Sequence, residues 1–146
     1  MFVNSFARAA MLCASIALLC ISPNASAADE VKVVYHMVEG LAQAQRAIAN
    51  IRNHLNADPS AKIVVVGNGE GVMFMIEDAK DRNGNPFEVA IQDLTGKGVE
   101  FVACRNTLTA RKIDPARVLP EARIVQSGVA EVARLQAKEA YSYLRP

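Results

Sequence analysis

The chain has 146 residues and a formal net charge of +1, with 16 basic and 15 acidic side chains. Binding of phosphate backbones needs clustered Lys and Arg residues, and the longest basic cluster here is Arg111-Lys112, so the sequence argues against nucleic acid as a partner. A chain of this length can bury enough apolar surface to fold as one domain without a metal or disulfides.

The first 27 residues have the pattern of a cleaved secretory signal peptide. Arg8 supplies a positive start, residues 9–21 form an apolar run, and Ala25-Ser26-Ala27 is a small-residue cleavage site. The apolar run is too short to cross a bilayer, which needs roughly 20 residues. We therefore expect cleavage behind this site and a periplasmic or secreted protein without membrane contact after cleavage, with a single domain over residues 28–146.

The first half of this domain alternates buried strands with helices. "VKVVYHMV" (residues 31–38) is almost entirely apolar, which is typical of a strand covered on both faces of a parallel sheet. An amphipathic helix should follow and stop at Asp58-Pro59, because apolar residues recur three and four apart. These residues are Leu41, Ala44, Ile48, Ile51 and Leu55. "AKIVVVG" (residues 61–67) predicts a second buried strand that runs into the glycine loop "NGEG" (residues 68–71).

The second half continues the alternation. Residues 72–86 predict a short helix that ends in a turn, and residues 87–98 predict another short helix. "VEFVAC" predicts the third strand, followed by a helix with Asn106 or Thr107 as its N-cap. "RIVQ" predicts a fourth strand, and Ser127 caps a final helix. The apolar face of that helix is Val129, Val132 and Leu135 with Ala133. The tail "YSYLRP" suits a fifth, edge strand.

This order of elements predicts an α/β fold. Strands that alternate with helices along the whole chain favour a single three-layer domain, with a mainly parallel sheet of about five strands flanked by helices.

The number of cysteines limits the possible functions more closely than composition and charge do. Cys13 and Cys20 leave with the signal peptide, so Cys104 is the sole thiol of residues 28–146. It has no partner for an intramolecular disulfide. An odd thiol in an oxidising compartment is either buried and inert, paired between chains, or reactive.

Three segments with candidate functional residues lie at the ends of predicted strands. His36 lies near the end of the first strand, Asn68, Gly69 and Gly71 follow the second, and Cys104 closes the third. Ligands of open parallel sheets bind beyond the carboxyl ends of the strands, so we expect these segments to converge.

Cys104 also lies directly ahead of a predicted helix. Unpaired backbone N–H groups at a helix start, here those of Arg105, Asn106 and Thr107, stabilise a thiolate and lower the thiol pKa. The alternative is that Cys104 is a small apolar core residue. His36 is a candidate proton acceptor, and a purely structural role is its alternative.

The remaining motifs argue against other chemistries. "GNGEG" lacks both the dinucleotide-binding and the P-loop spacing, so we expect no bound cofactor. Its glycines allow close backbone approach, and the loop either holds a small anion with amide N–H groups or is a plain turn. One cysteine and two scattered histidines give no metal-ligand spacing, so no metal site is expected.

Taken in order, several segments resemble the DsrE/DsrF-like family. They are the opening strand with its histidine, "ANIRNHLNADPSAKIVVVGNGEGV", "LTGKGVEFVACRNTL" and "SGVAEVARLQ". The resemblance implies a small α/β fold with a five-strand sheet, assembled into homo-oligomers such as trimers or hexamers. It also implies a role in sulfur metabolism, because some relatives carry sulfane sulfur as a persulfide on a cysteine. Cys104 matches that cysteine by position.

Two hypotheses follow. In the first, Cys104 carries sulfane sulfur or exchanges with thiols, as a sulfurtransferase-like carrier that serves a thiol or persulfide partner protein. In the second, the protein is a non-catalytic module with a buried, inert cysteine, either a small-ligand-binding protein or a structural part of an oligomer.

Overall fold

The computed structural model describes residues 30–146, so the predicted signal peptide lies outside the described residues. Five strands and four α-helices make up this part of the chain. In chain order they are β1 (Lys32–Met37), α1 (Leu41–Ala57), β2 (Lys62–Gly67), α2 (Phe87–Thr95), β3 (Glu100–Cys104), α3 (Arg105–Ala110), β4 (Ala122–Val125), α4 (Gly128–Glu139) and β5 (Ser142–Leu144). Two 3₁₀ helices, Gly69–Met75 and Pro115–Arg117, lie in the connections.

The five strands form one sheet in the order β4-β3-β2-β1-β5, and every neighbouring pair is parallel. The predicted α/β fold with a parallel sheet of five strands is therefore confirmed, including the short edge strand at the C-terminus. Because β5 pairs with β1 rather than β4, the chain crosses back over the sheet through α4. This return sends α4 to the opposite face from α1 and α2.

The two faces of the sheet are covered unequally. The larger core lies beneath α1, α2 and the first 3₁₀ helix, and it includes the aromatic pairs of Phe74 with Phe87 and Phe101. The smaller core lies beneath α4, and it consists of a valine-rich surface of the inner strands with two residues of the helix. These residues are Val34, Val64, Val66, Val102, Val132 and Leu135. No helix within residues 30–146 is long and apolar enough to cross a membrane.

The connection after β2 differs from the predicted helix. Residues 69–75 form a 3₁₀ helix that starts three residues earlier than the predicted element, and it is followed by Ile76, which forms a bridge to Val118, and by a turn. The reason is packing: Gly71, Val72, Phe74 and Met75 are all buried, so tertiary contacts decide the local geometry.

Three apolar positions also differ from the prediction. Leu41 begins α1 but is 37% exposed, and Val129 near the start of α4 is 58% exposed. Ala133 is the third exposed position, and the other predicted core positions of the two helices are buried. Leu41 and Val129 each lie in the first turn of their helix.

A buried carboxylate fixes the start of α4 against the sheet. Glu131 is 8% exposed and accepts hydrogen bonds from Arg134 on the same helix and from Arg123 of β4, the latter at 2.5 Å. The Arg134 contact, opposed by burial and supported by Arg123, lowers the pKa of Glu131 to about 2. The carboxylate is thus ionised at neutral pH and holds the N-terminal turn of α4 beside β4.

Candidate functional site

The functional candidates meet where β1, β2 and β3 end. All strands are parallel, so their carboxyl ends share one edge of the sheet. A recess of about 540 Å³ opens at this edge. Its lining comes from the glycine loop, the end of β3, α3 and the start of α4. The residues are Asn68, Gly69, Cys104, Asn106, Thr107, Ala110, Arg111, Ser127 and Val129.

Cys104 is the N-cap residue of α3, in place of the predicted Asn106 or Thr107. The residue is 4% exposed and belongs to the larger hydrophobic core, and its backbone ends β3 and pairs with Val125. Its side chain nevertheless lines the recess, and Sγ lies 4.0 Å from the carbonyl oxygen of Gln126. Cys104 is a free thiol within residues 30–146.

Hydrogen bonds favour the ionised form of this thiol. Burial raises the pKa of Cys104, but donors from two directions outweigh that effect and lower the pKa overall. The largest opposing contribution is the backbone N–H of Gly128, the first residue of α4. The backbone N–H and hydroxyl of Thr107 and the backbone N–H of Asn106 add to it from α3. Two helix starts therefore face one sulfur atom.

The Thr107 hydroxyl is oriented by the glycine loop. The backbone N–H of Gly69 donates to Thr107 Oγ1 at 3.0 Å. That bond uses an oxygen lone pair and leaves the hydroxyl hydrogen free to point at Cys104 Sγ. The glycine loop thus reaches the thiol through Thr107, as well as by lining the recess itself.

Replacing Thr107 with valine should make Cys104 less reactive. Valine keeps the shape of the side chain but removes the hydroxyl, and a hydrogen bond to a charged group contributes about 1.5–3 kcal/mol. The pKa of Cys104 should rise. Alkylation by iodoacetamide, carried out at a pH below the thiol pKa of the unchanged protein and followed by intact mass spectrometry, should then slow by about tenfold or more.

Thr107→Ser is the matched control for this experiment. Serine retains the hydroxyl and should keep an alkylation rate close to that of the unchanged protein. Equal rates in the valine variant and the unchanged protein would contradict a role of the hydroxyl in stabilising the thiolate.

His36 lies beside this recess but is not among the residues that line it. Its Nε2 lies 2.7 Å from Asn68 Oδ1 and its Nδ1 lies 3.0 Å from the hydroxyl of Tyr143. An amide oxygen can only accept, so Nε2–H is the donor and Nδ1 of the neutral ring accepts from Tyr143. Both ring nitrogens are therefore engaged, and the structure connects His36 to the recess through Asn68 rather than through Cys104.

Two other predicted ligand residues lie away from the recess lining. Gly71 is buried, and a Cβ added to it would overlap the carbonyl oxygen of Met37, so this glycine lets the 3₁₀ helix pack on β1. Arg105 is exposed at the first position of α3, and its amide is not among the groups that act on the thiol. Asn68, Gly69, Asn106 and Thr107 are the predicted ligand residues that the structure brings together with Cys104.

Sequence reasoning missed Gly128. An added Cβ at this position would lie 3.2 Å from Cys104 Cβ and 3.3 Å from Asn68 Cβ, so any other residue would require its neighbours to shift. The signal in the sequence is the glycine directly after the Ser127 cap, because glycine permits close backbone approach. Its proximity to Cys104 follows from the sheet order of the structure and not from the sequence.

The polar groups of the recess suit a small anionic or polarisable group rather than a metal. Within the described part of the chain, no three His, Cys, Asp or Glu side chains come together as metal ligands. The recess offers N–H donors, the Asn68 amide and the Arg111 guanidinium, which forms an ion pair with Glu70. The arrangement can hold a thiolate, or an anion attached to it, at the bottom of a recess that opens to the surface.

Comparisons with known proteins agree with this architecture. A comparison with curated protein sequences found no significant match. Among solved structures, MTH1491 from Methanobacterium thermoautotrophicum, a protein of unknown function, is 33% identical, with a TM-score of 0.71 over 80% of this chain and 100% of its own. The ychN protein from E. coli is 12% identical, with a TM-score of 0.60 over 80% of this chain and 98% of its own, and supports the fold alone.

The sequence itself matches a protein-family model over residues 15–146. That match covers all of the described strands and helices, together with the later part of the predicted signal peptide. The chain belongs to the DsrE/DsrF-like family.

Proposed function

We propose that this protein is a carrier of sulfane sulfur and that Cys104 holds the sulfur as a persulfide. In the loading step, the Cys104 thiolate attacks the outer sulfur of a persulfide R–S–SH. A new S–S bond forms, the old S–S bond breaks, and its electron pair leaves with R–S⁻. A partner thiolate R′–S⁻ then attacks the outer sulfur of Cys104–S–SH, which forms R′–S–SH and restores the Cys104 thiolate.

One observation carries this proposal: the donors around Cys104 Sγ come from the starts of two helices, α3 and α4. The thiolate is the nucleophile in sulfur exchange, and its pKa is lowered despite burial. A cysteine that served only as a core residue would need no such convergence of N–H groups. The same donors would stabilise the thiolate again when it is the leaving group of the second step.

The recess has room for the outer sulfur atom of a Cys104 persulfide. A persulfide on Cys104 extends the side chain by one atom into a space bordered by Asn68 and Thr107. Because Asn68 Oδ1 is held by His36, the Asn68 amide nitrogen is free to donate to that outer sulfur. We therefore assign His36 to positioning Asn68 in the proposed reaction.

The proposal extends to location and partners. The pattern of residues 1–27 supports export, so donor and acceptor would be thiols or persulfides outside the cytoplasm. The sulfur is transferred between proteins or small thiols that reach the open side of the recess. We also propose a homo-oligomer, a trimer or a hexamer, on the basis of the family resemblance.

A non-catalytic binding module is the second candidate function. The 4% exposure of Cys104 favours it, because a nearly buried thiol reacts more slowly with large partners. In that case the recess binds a small anion through the same N–H donors, and the thiol is only part of the lining.

Sulfur loading separates the two candidates. The purified protein is treated with polysulfide, freed of reagent, and weighed by intact mass spectrometry before and after addition of a small thiol. A carrier gains the mass of one sulfur atom at Cys104 and loses it to the thiol, whereas Cys104→Ser gains none. A protein that takes up sulfur only after denaturation is not a carrier, and the binding module is then the better description.

A further inference from the structure

A second surface lies beside the buried stripe of α1, between this helix and α2. Two adjoining cavities of about 560 Å³ and 480 Å³ share Gln45, Ala49 and Asp81, so they form one groove, here called the α1 groove. One wall is α1 from Leu41 to Arg52, a length of roughly 16 Å. The other wall is the loop at residues 80–86 and the start of α2.

The α1 groove has an apolar floor and apolar ends. Its floor includes Ile48, Ala49 and the buried ring of Phe87. Leu41 lies at one end and is 37% exposed, whereas Val89 lies at the other end and is 64% exposed. Together with the exposed Ala49 between them, these two side chains give the groove apolar surface that a partner can cover.

The rim of the groove is positively charged. Its lining contains four cations, Arg46, Arg52, Lys80 and Arg82. Arg46 and Arg52 each have an exposed acidic partner, at 3.5 and 3.4 Å. Lys80 and Arg82 form no ion pair with any residue in the range 30–146.

Asp81 is the one acidic residue in the lining, and the turn that follows already uses its carboxylate. It accepts from the backbone N–H groups of Asn83 and Asn85 at 2.8 and 2.9 Å. It also accepts from the Asn85 side-chain amide at 3.2 Å. The carboxylate thus has hydrogen-bond donors of its own and forms no ion pair with Lys80 or Arg82 within the described residues. Since Arg46 and Arg52 have acidic partners, Lys80 and Arg82 are the cations of the groove without an ion pair in the described residues, and they lie on either side of Asp81 in the loop.

We propose that the α1 groove binds an acidic, amphipathic segment of a partner protein, whose apolar side chains cover the floor while its carboxylates meet Lys80 and Arg82. The length of the wall fits about three helical turns. A small anion would leave the apolar floor uncovered. A single-stranded nucleic acid would stack its bases on an exposed aromatic ring, and Phe87, the aromatic residue in the lining, is only 3% exposed. The groove and its occupant are independent of the chemistry of Cys104.

Peptide selection tests this inference. Random peptides displayed on phage are selected on the purified protein, and the enriched peptides are measured by fluorescence anisotropy. We expect enriched sequences with Asp or Glu interleaved with Leu, Ile or Phe, whose affinity falls as salt is raised. The variant Lys80→Glu/Arg82→Glu should weaken their binding by about tenfold or more.

Two control variants keep the test specific. Lys112→Glu/Lys138→Glu makes the same change in net charge at exposed residues outside the groove and should change affinity by less than about twofold. Val89→Ser should weaken binding, whereas Val31→Ser, at a residue that is 45% exposed elsewhere, should not.

Three results would overturn the inference. They are selection that enriches no peptides, enriched peptides without acidic residues, and binding that is equal in both charge-reversal variants. Sedimentation of the protein without peptide gives a fourth result that would overturn it. If Lys80→Glu/Arg82→Glu dissociates an oligomer that the control variant retains, a second copy of this chain occupies the groove.

Discussion

Replacing Gly128 with valine is expected to slow the loading of Cys104 with sulfur by about tenfold or more, although the cysteine itself is unchanged. A Cβ at this position lies 3.2 Å from Cys104 Cβ and 3.4 Å from the carbonyl oxygen of Gly67, closer than nearly all packed side chains. The two additional methyl groups of valine force the start of α4 outward. The Gly128 N–H, the largest contribution that lowers the thiol pKa, then moves away from Sγ.

The readout is the rate of sulfur uptake from polysulfide, together with the alkylation rate of Cys104 at neutral pH. Ala130→Val is the matched control, because it places a valine two residues further along α4 at an exposed position. The control should load at the rate of the unchanged protein. A normal rate in Gly128→Val, with the fold intact by circular dichroism, would mean that the start of α4 does not support the thiolate.

Replacing Gly71 with alanine is expected to lower the free energy of unfolding by about 3 kcal/mol or more. An added Cβ would overlap the carbonyl carbon and oxygen of Met37 and lie 2.7 Å from the amide nitrogen of Val38. These are backbone atoms of β1 and its exit, which cannot rotate away as a flexible side chain can. The carbonyl of Gly71 is in turn close-packed on Gly67, so the 3₁₀ helix has little freedom to shift.

Urea denaturation followed by circular dichroism measures this loss. Gly96→Ala is the control, since Gly96 has helical φ and ψ and its added Cβ makes only ordinary contacts at 3.4 and 3.5 Å. That change should leave stability unchanged or raise it slightly. If Gly71→Ala kept full stability but lost anion binding or sulfur loading, Gly71 would be a ligand residue, as its place in the glycine loop first indicated.

Sequence patterns predicted most of the fold because its three inner strands are largely buried on both faces. The apolar run around Val34 and the valines of β2 leave little alternative to a central parallel strand, and the amphipathic spacing of α1 fixes the layer above. The 3₁₀ helix was predicted as an ordinary helix. Its geometry depends on the close contact of Gly71 with β1, which no local pattern encodes.

The site was predictable only in part, for a related reason. The parallel sheet brings the ends of β1, β2 and β3 to one edge, so Asn68, Thr107 and Cys104 could be grouped from sequence. Gly128 could not, because its approach depends on the return of the chain through α4. His36 was a candidate proton acceptor with a structural role as its alternative, and in the structure Asn68 and Tyr143 occupy both of its ring nitrogens.

The central claim is that Cys104 is a reachable thiolate held by the starts of two helices. Its most direct test is the alkylation rate of the native protein between about pH 4 and pH 9, followed by intact mass. We predict a single titration whose midpoint lies clearly below that of an unperturbed cysteine thiol, since the net effect of the donors lowers the pKa. A midpoint at or above the unperturbed value, or alkylation only after unfolding, would contradict it.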